Sequence, residues 1–248
     1  MNIMSADGGR SDGRLANQLR PLAVEPGALS RADGSARFSH DGTEVLAAVY
    51  GPCEVRRTRE SIDGATLEVI ARPRAGIPSP ADRELEQLIA QTLQHLILLS
   101  AYPRTAISVV VQVLSDDGAL LSTALHAACA ALMHAGVPLR GMLGGCTLTL
   151  KSDGSLQLDP VASEEAEAEA VVSLCFLLRQ GLGGALERKL VLSHVRGTLS
   201  RTQYDTCECA ATEAAACVGG FLRQSLRRDV TSLTAAGTAT SSGARITP

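Results

Sequence analysis

Residues 105–136, TAISVVVQVLSDDGALLSTALHAACAALMHAG, constrain the fold more than any other stretch of this chain. Ile107 to Leu114 is an apolar, β-branched run, short enough for a buried strand. Asp116-Asp117-Gly118 breaks it. Ala119 to His134 then reads as a helix rich in Ala and Leu. A strand, a tight acidic-Gly turn and a helix start make a natural seat for an anion, because free backbone N–H groups and the helix dipole point at the turn. Yet the helix opens with Ala119-Leu120-Leu121, with no Lys, Arg or Thr to hold a phosphate. The backbone pattern points to phosphate handling, and the side chains point to a site that has fallen silent.

A chain of 248 residues can bury a core as one large or two small domains. Aromatics make up only 2% and Trp is absent, so Ala, Leu and Val must build that core, and recognition of nucleic acid by aromatic stacking is disfavoured. With a net charge of −3, any nucleic-acid contact must come from local Arg patches. The 7 cysteines sit mostly in apolar patterns, as expected of free thiols in a reducing compartment. Cys207-Glu208-Cys209 lacks a second Cys/His pair at zinc spacing, and the 5 histidines show no ligand spacing either, so no metal is expected. His126 is the histidine nearest the central turn and reads as a packed helix residue. No Ser-His-Asp order, P-loop or dinucleotide motif is present; the Gly-rich run Gly181 to Gly184 lacks the Lys-Ser/Thr of a nucleotide site. There is no secretory h-region and no apolar run of bilayer length, which predicts a chain of the cytoplasm or nucleus with no membrane partner.

Along the chain, residues 1–16 read as a flexible N-terminus in which Arg10 to Arg14 could dock on a partner. Asp41-Gly42 lies between two β-like runs and predicts a hairpin. Ala65 to Ala71 predicts a strand, and Asp82 to Ser100 a helix by its i, i+3, i+4 apolar spacing, stopped by Pro103. Cys146 to Lys151 and Ser155 to Leu158 predict a second hairpin around Asp153-Gly154. Ser163 to Ala170 is acidic with helical propensity, leaving helix or solvated loop open. Ala170 to Leu178 and Lys189 to Val195 predict strands, and Thr202 to Arg228 the last helix. Asp229 to Pro248 reads as a disordered tail. Element order repeats weakly between residues 17–140 and 141–228. The class is α+β: two βαβα-type units with sheets backed by helices.

The run LSRADGSARFSHDGTEVLAAVYGP, Leu29 to Pro52, together with RSDGR, ATLEV, PRT, VQVLSDDG and VPLRGMLGGCTLTL, resembles the RNase PH family over residues 10–228. Within that family it looks like the noncatalytic ring subunits of the eukaryotic RNA exosome. The resemblance implies the RNase PH fold (ribosomal protein S5 domain 2-like) and a hexameric ring around a channel for single-stranded RNA. Other RNase PH-type subunits and S1/KH RNA-binding cap subunits are the implied partners. The implied localisation is nucleus, nucleolus and cytoplasm; the implied work is rRNA maturation and mRNA decay; no cofactor is implied.

Active members bind phosphate with a Gly-Gly-Thr-Arg turn, and the matching positions here are Gly118, Ala119, Leu120 and Leu121. An Arg fork is a strong bidentate phosphate ligand, and Leu121 offers neither charge nor donor. Active members also carry two Asp six residues apart. Those positions match Ser163 and Glu169, with Glu164, Glu165 or Glu167 as alternatives should the register differ. Gln87 and Gln91 stand where active members have Arg on the first long helix. Phosphorolysis is therefore expected to be lost. Arg56, Arg57 and Arg59, with Arg72 and Arg74, would form one basic edge for RNA if the two strands beside Asp63-Gly64 pair antiparallel; otherwise they serve solubility or protein contacts. The leading reading is a structural exosome ring subunit. The alternatives are a residual nuclease using residues 164–169 with metal or phosphate, and a stand-alone homodimer binding nucleic acid.

Overall fold

The computed structural model describes residues 10, 12–55, 57–181 and 186–241, with the backbone alone at 230 and 232–241. Two sheets form. The first has strand order β1-β2-β3-β5-β4, from β1 (Leu22–Pro26), β2 (Gly34–His40), β3 (Thr43–Glu54), β4 (Thr66–Arg72) and β5 (Thr105–Ser115). The second has order β7-β6-β8-β9, from β6 (Met142–Leu150), β7 (Leu156–Leu158), β8 (Ala170–Gln180) and β9 (Leu186–Gly197), and all its pairings are antiparallel. The helices are α1 (Pro80–Leu96), α2 (Leu120–His134), the short α3 (Ala162–Glu167) and α4 (Arg201–Ser241).

Helix α2 lies between the sheets, touching β2 and β3 on one side and β6 and β8 on the other. Every residue from Leu121 to Leu132 is buried. A helix apolar all round has to be enclosed, and its Ala content lets both sheets approach. Each fully buried Leu, such as Leu125 and Leu132, contributes about 1.5–3 kcal/mol. Helix α4 packs on β6 at Gly144, where an added Cβ would stand 2.3 Å from the Ala215 carbonyl oxygen.

Helix α1 begins at a capping box: the Ser79 hydroxyl accepts from the Asp82 N–H, and the Asp82 carboxylate accepts from the Ser79 N–H. It ends at Leu96, short of the expected Ser100, because Ile97 turns extended and forms a bridge with Leu139. Glu86 of α1 accepts the Ala71 N–H of the edge strand β4 at 2.8 Å, which blunts that edge.

Three expectations change. Strands β3 and β4 do not pair: β5 lies between them, antiparallel to β3 and parallel to β4, so Asp63-Gly64 is not a hairpin turn. Helix α4 runs on to Ser241, past Arg228 and into the stretch expected to be a disordered tail, with no proline to stop it before Pro248; residues 242–248 lie outside the described residues. The N-terminal arm is tied to the second unit. Arg10 is 6% exposed and donates to the Glu164 carboxylate and to the Leu158 and Asp159 carbonyls. The Leu158 N–H donates to the Ala16 carbonyl. Residues 1–9, Ser11 and most of the Gly181 to Gly184 run lie outside the described residues.

Asp159 is the joint between the two units. It takes a left-handed backbone, φ 52°, and its carboxylate accepts from the Arg20 backbone N–H and from two guanidinium nitrogens at 2.8–3.1 Å. The His40 Nδ1 lies 3.5 Å away. Despite burial, the neighbouring His40 and the Arg20 guanidinium hold the Asp159 carboxyl well below the usual carboxylate range.

Candidate functional site

At the end of β5 the chain turns through Asp116-Asp117-Gly118 and enters α2. Thr43 and Arg20 lock the turn: the Thr43 hydroxyl accepts the Asp117 N–H at 2.9 Å and donates to the Gly118 carbonyl at 2.7 Å, and Arg20 donates to the carbonyls of Asp117 and Gly118. Gly118 sits at φ +84°, where a Cβ would also strike the Pro160 carbonyl at 2.6 Å. Ala119 caps the helix in the left-handed region, φ 53°, a conformation costing a side-chain-bearing residue about 1–2 kcal/mol.

This turn opens on a cavity of about 270 Å³ between α1, the α2 start, α3 and β9. Its lining carries the carboxylates of Asp82, Glu84, Asp116 and Glu165 against Arg196 and His194. At neutral pH that balance repels anions. The Ala119 N–H, aimed at the seat, is already taken by the Glu165 carboxylate at 2.7 Å, whose other oxygen accepts from Arg196 at 2.8 Å. Leu120 and Leu121, with Leu85 and Leu88 of α1, form the cavity's apolar lining. A row of hydroxyls, Ser122, Thr147 and Ser173, lies behind the turn at spacings of 3.4 and 3.1 Å. His194, opposite Ser173 on β9, meets Glu84 of α1 at 3.3 Å.

Residues 18–138 match the 3' exoribonuclease family, domain 1, RNase_PH. A relative from Arabidopsis thaliana, described as an exosome complex exonuclease RRP46 homolog, is 36% identical over 229 residues, 88% of this chain and 96% of the relative. The crystal structure of rice (Oryza sativa) Rrp46 superposes with a TM-score of 0.80 at 35% identity, covering 88% of this chain and 100% of that one. The chain belongs to the RNase PH family. An archaeal exosome core chain shares the fold, with a TM-score of 0.72 at 20% identity over 86% of this chain and 91% of that one.

Set in the RNase PH fold, the expected site residues separate. Leu120 and Leu121 do line the cavity. Ser163 is exposed and does not line it, and Glu169 is exposed in a neighbouring depression beside Arg196 and Gly197. Of the alternatives, Glu165 faces the α2 start, Glu164 is turned away onto Arg10, and Glu167 is exposed. Gln87 and Gln91 are exposed on α1. His126 is fully buried; its Nε2 accepts the Gly145 N–H at 2.8 Å, and burial pushes its pKa well below the ordinary value.

The single basic edge is not formed. Arg59 lies beside the first residue of β4, where its carbonyl accepts from the Thr66 hydroxyl and its guanidinium pairs with Glu68 at 2.7 Å. Arg72 ends the same strand, alongside Gln112 near the cavity end of β5, with Arg74 just beyond. A strand of this length separates the groups by about 20 Å. Arg57 is exposed next to Arg59, and Arg56 lies outside the described residues. Cys207 is buried and Cys209 exposed, as i, i+2 positions on a helix point to different sides. No group of three or more metal-capable side chains occurs among the described residues.

Sequence reasoning missed Arg196, His194 and Glu84. The alternation of β9 places His194 and Arg196 on one face, a legible signal, but only the fold reveals that α1 and α3 come to meet it.

Proposed function

We infer that this chain is a ring subunit of an RNA exosome core that does not itself carry out phosphorolysis. Its similarity to proteins named as exosome components supports the assembly. One observation carries the loss of chemistry. The α2 seat has Leu120 and Leu121 where a phosphate needs donors, its Ala119 N–H is capped by Glu165, and four carboxylates (Asp82, Glu84, Asp116 and Glu165) line the cavity. In that role the chain shapes the channel for single-stranded RNA, docks other RNase PH-type subunits and S1/KH cap subunits, and supports rRNA maturation and mRNA decay in nucleus, nucleolus and cytoplasm. Arg57 and Arg59, and separately Arg72 and Arg74, touch the RNA backbone as two patches; Arg56, also expected to meet RNA, lies outside the described residues. Residues 17–228 act as the assembling domain.

A second reading has one observation in its favour: the Arabidopsis relative is described as an exonuclease. It would make Glu165 and Glu169, flanking Arg196, a residual nuclease centre.

Co-expression with RNase PH-type exosome subunits, followed by native mass measurement, tests the assembly. The expected result is a mixed ring containing one copy of this chain. A chain that stays monomeric or pairs only with itself contradicts the reading.

A further inference from the structure

Glu165 occupies the place an anion would take. One of its oxygens accepts the Ala119 N–H at 2.7 Å at the start of a long helix, and the other accepts from the Arg196 guanidinium at 2.8 Å. A backbone amide at a positive helix pole and an arginine fork are the contacts a phosphate oxygen would seek.

Both sides of this contact are held. Glu164, next in the chain, receives two bonds from Arg10 at 2.9 and 2.8 Å and accepts the Val161 N–H at 3.0 Å, which fixes the start of α3. Across the cavity, Arg20 and Thr43 fix the turn that presents Ala119. Glu165 is therefore delivered to the α2 start by two braced segments, and its own side chain is mostly covered, at 19% exposure.

We propose that Glu165 is an internal plug: its carboxylate fills the anion seat at the start of α2 and shuts out inorganic phosphate, and Arg196 is the ligand it neutralises. Removing Glu165 takes away a charge that repels phosphate, frees the Ala119 N–H and releases Arg196. The plug rests on the reading of the cavity as phosphorolytically silent. The two fail separately, because silence is read from RNA products of the unaltered chain and the plug from phosphate binding by variants.

The test is thermal unfolding of the full chain in inorganic phosphate against chloride at matched ionic strength. The unaltered chain is expected to show no phosphate-specific change. Glu165→Ala is expected to gain about 3 °C in Tm at phosphate well above its dissociation constant. The double variant Glu165→Ala, Arg196→Ala is expected to lose that gain. If Glu165→Ala does not fold, Glu165→Gln, which keeps the volume and removes the charge, is read the same way. A phosphate response in the unaltered chain equal to the variant's overturns the plug. So does a folded Glu165 variant with no response, or a gain that survives loss of Arg196.

Discussion

Two arginine–carboxylate pairs in this molecule have the same 2.8 Å contact and different consequences. Arg20–Asp159 is sealed, with side chains 1% and 2% exposed, and it joins the two units of the fold. Arg196–Glu165 faces the cavity, with side chains 60% and 19% exposed, and it sits on a helix start that could otherwise receive an anion. Burial decides the role. A buried pair cannot lose one partner without leaving a stranded charge, whereas an exposed pair is screened by water and can exchange partners. The first pair joins the two units of the fold, and the second, as the proposed plug, would govern what the cavity admits.

The largest expected effect comes from breaking the sealed pair. Asp159→Ala leaves Arg20 buried without its carboxylate and should lower stability by about 3–5 kcal/mol in chemical denaturation. A loss under about 1 kcal/mol would place Asp159 among ordinary surface acids.

A smaller effect follows from pH. His126 has its pKa lowered below 6.5 by burial, so between that lowered value and pH 6.5 the unfolded chain binds a proton that the folded chain refuses. Stability should therefore fall as pH drops below 6.5, and His126→Gln should flatten this upper part of the decline. Asp159 works lower: its depressed carboxyl contributes stability above the ordinary value of 3.8, lost as pH falls through the range beneath it. A Tm profile from neutral to acid pH separates the two, and a His126→Gln profile that overlays the original would refute the first.

The smallest effect belongs to the cavity pair. Arg196→Ala should change stability by less than about 1 kcal/mol, since the Arg196 side chain is 60% exposed. A loss as large as that of Asp159→Ala would erase the contrast between the regions.

Much of this was readable from local sequence. The switch from β-branched run to Ala/Leu helix across Asp116-Asp117-Gly118 located β5, the turn and α2, and Leu120-Leu121 announced the missing donors. What failed was non-local. Asp63-Gly64 resembles a hairpin turn, but β5 enters between β3 and β4 from some 40 residues downstream, and no local pattern encodes that pairing. Strand β1 is short and bounded by Pro21 and Gly27, which read as loop. Asp159 belongs to no motif because its arginine lies 139 positions away. Glu165 could be named only among neighbours, since a one-residue rotation of α3 decides whether Glu164 or Glu165 meets α2.

We propose that this member of the RNase PH family has lost phosphorolysis. Incubating the purified full chain with labelled single-stranded RNA and inorganic phosphate, and resolving the products, tests it most directly. The account predicts intact RNA and no nucleoside diphosphates. Phosphate-dependent release of nucleoside diphosphates from the 3' end, abolished by removing phosphate, would contradict it.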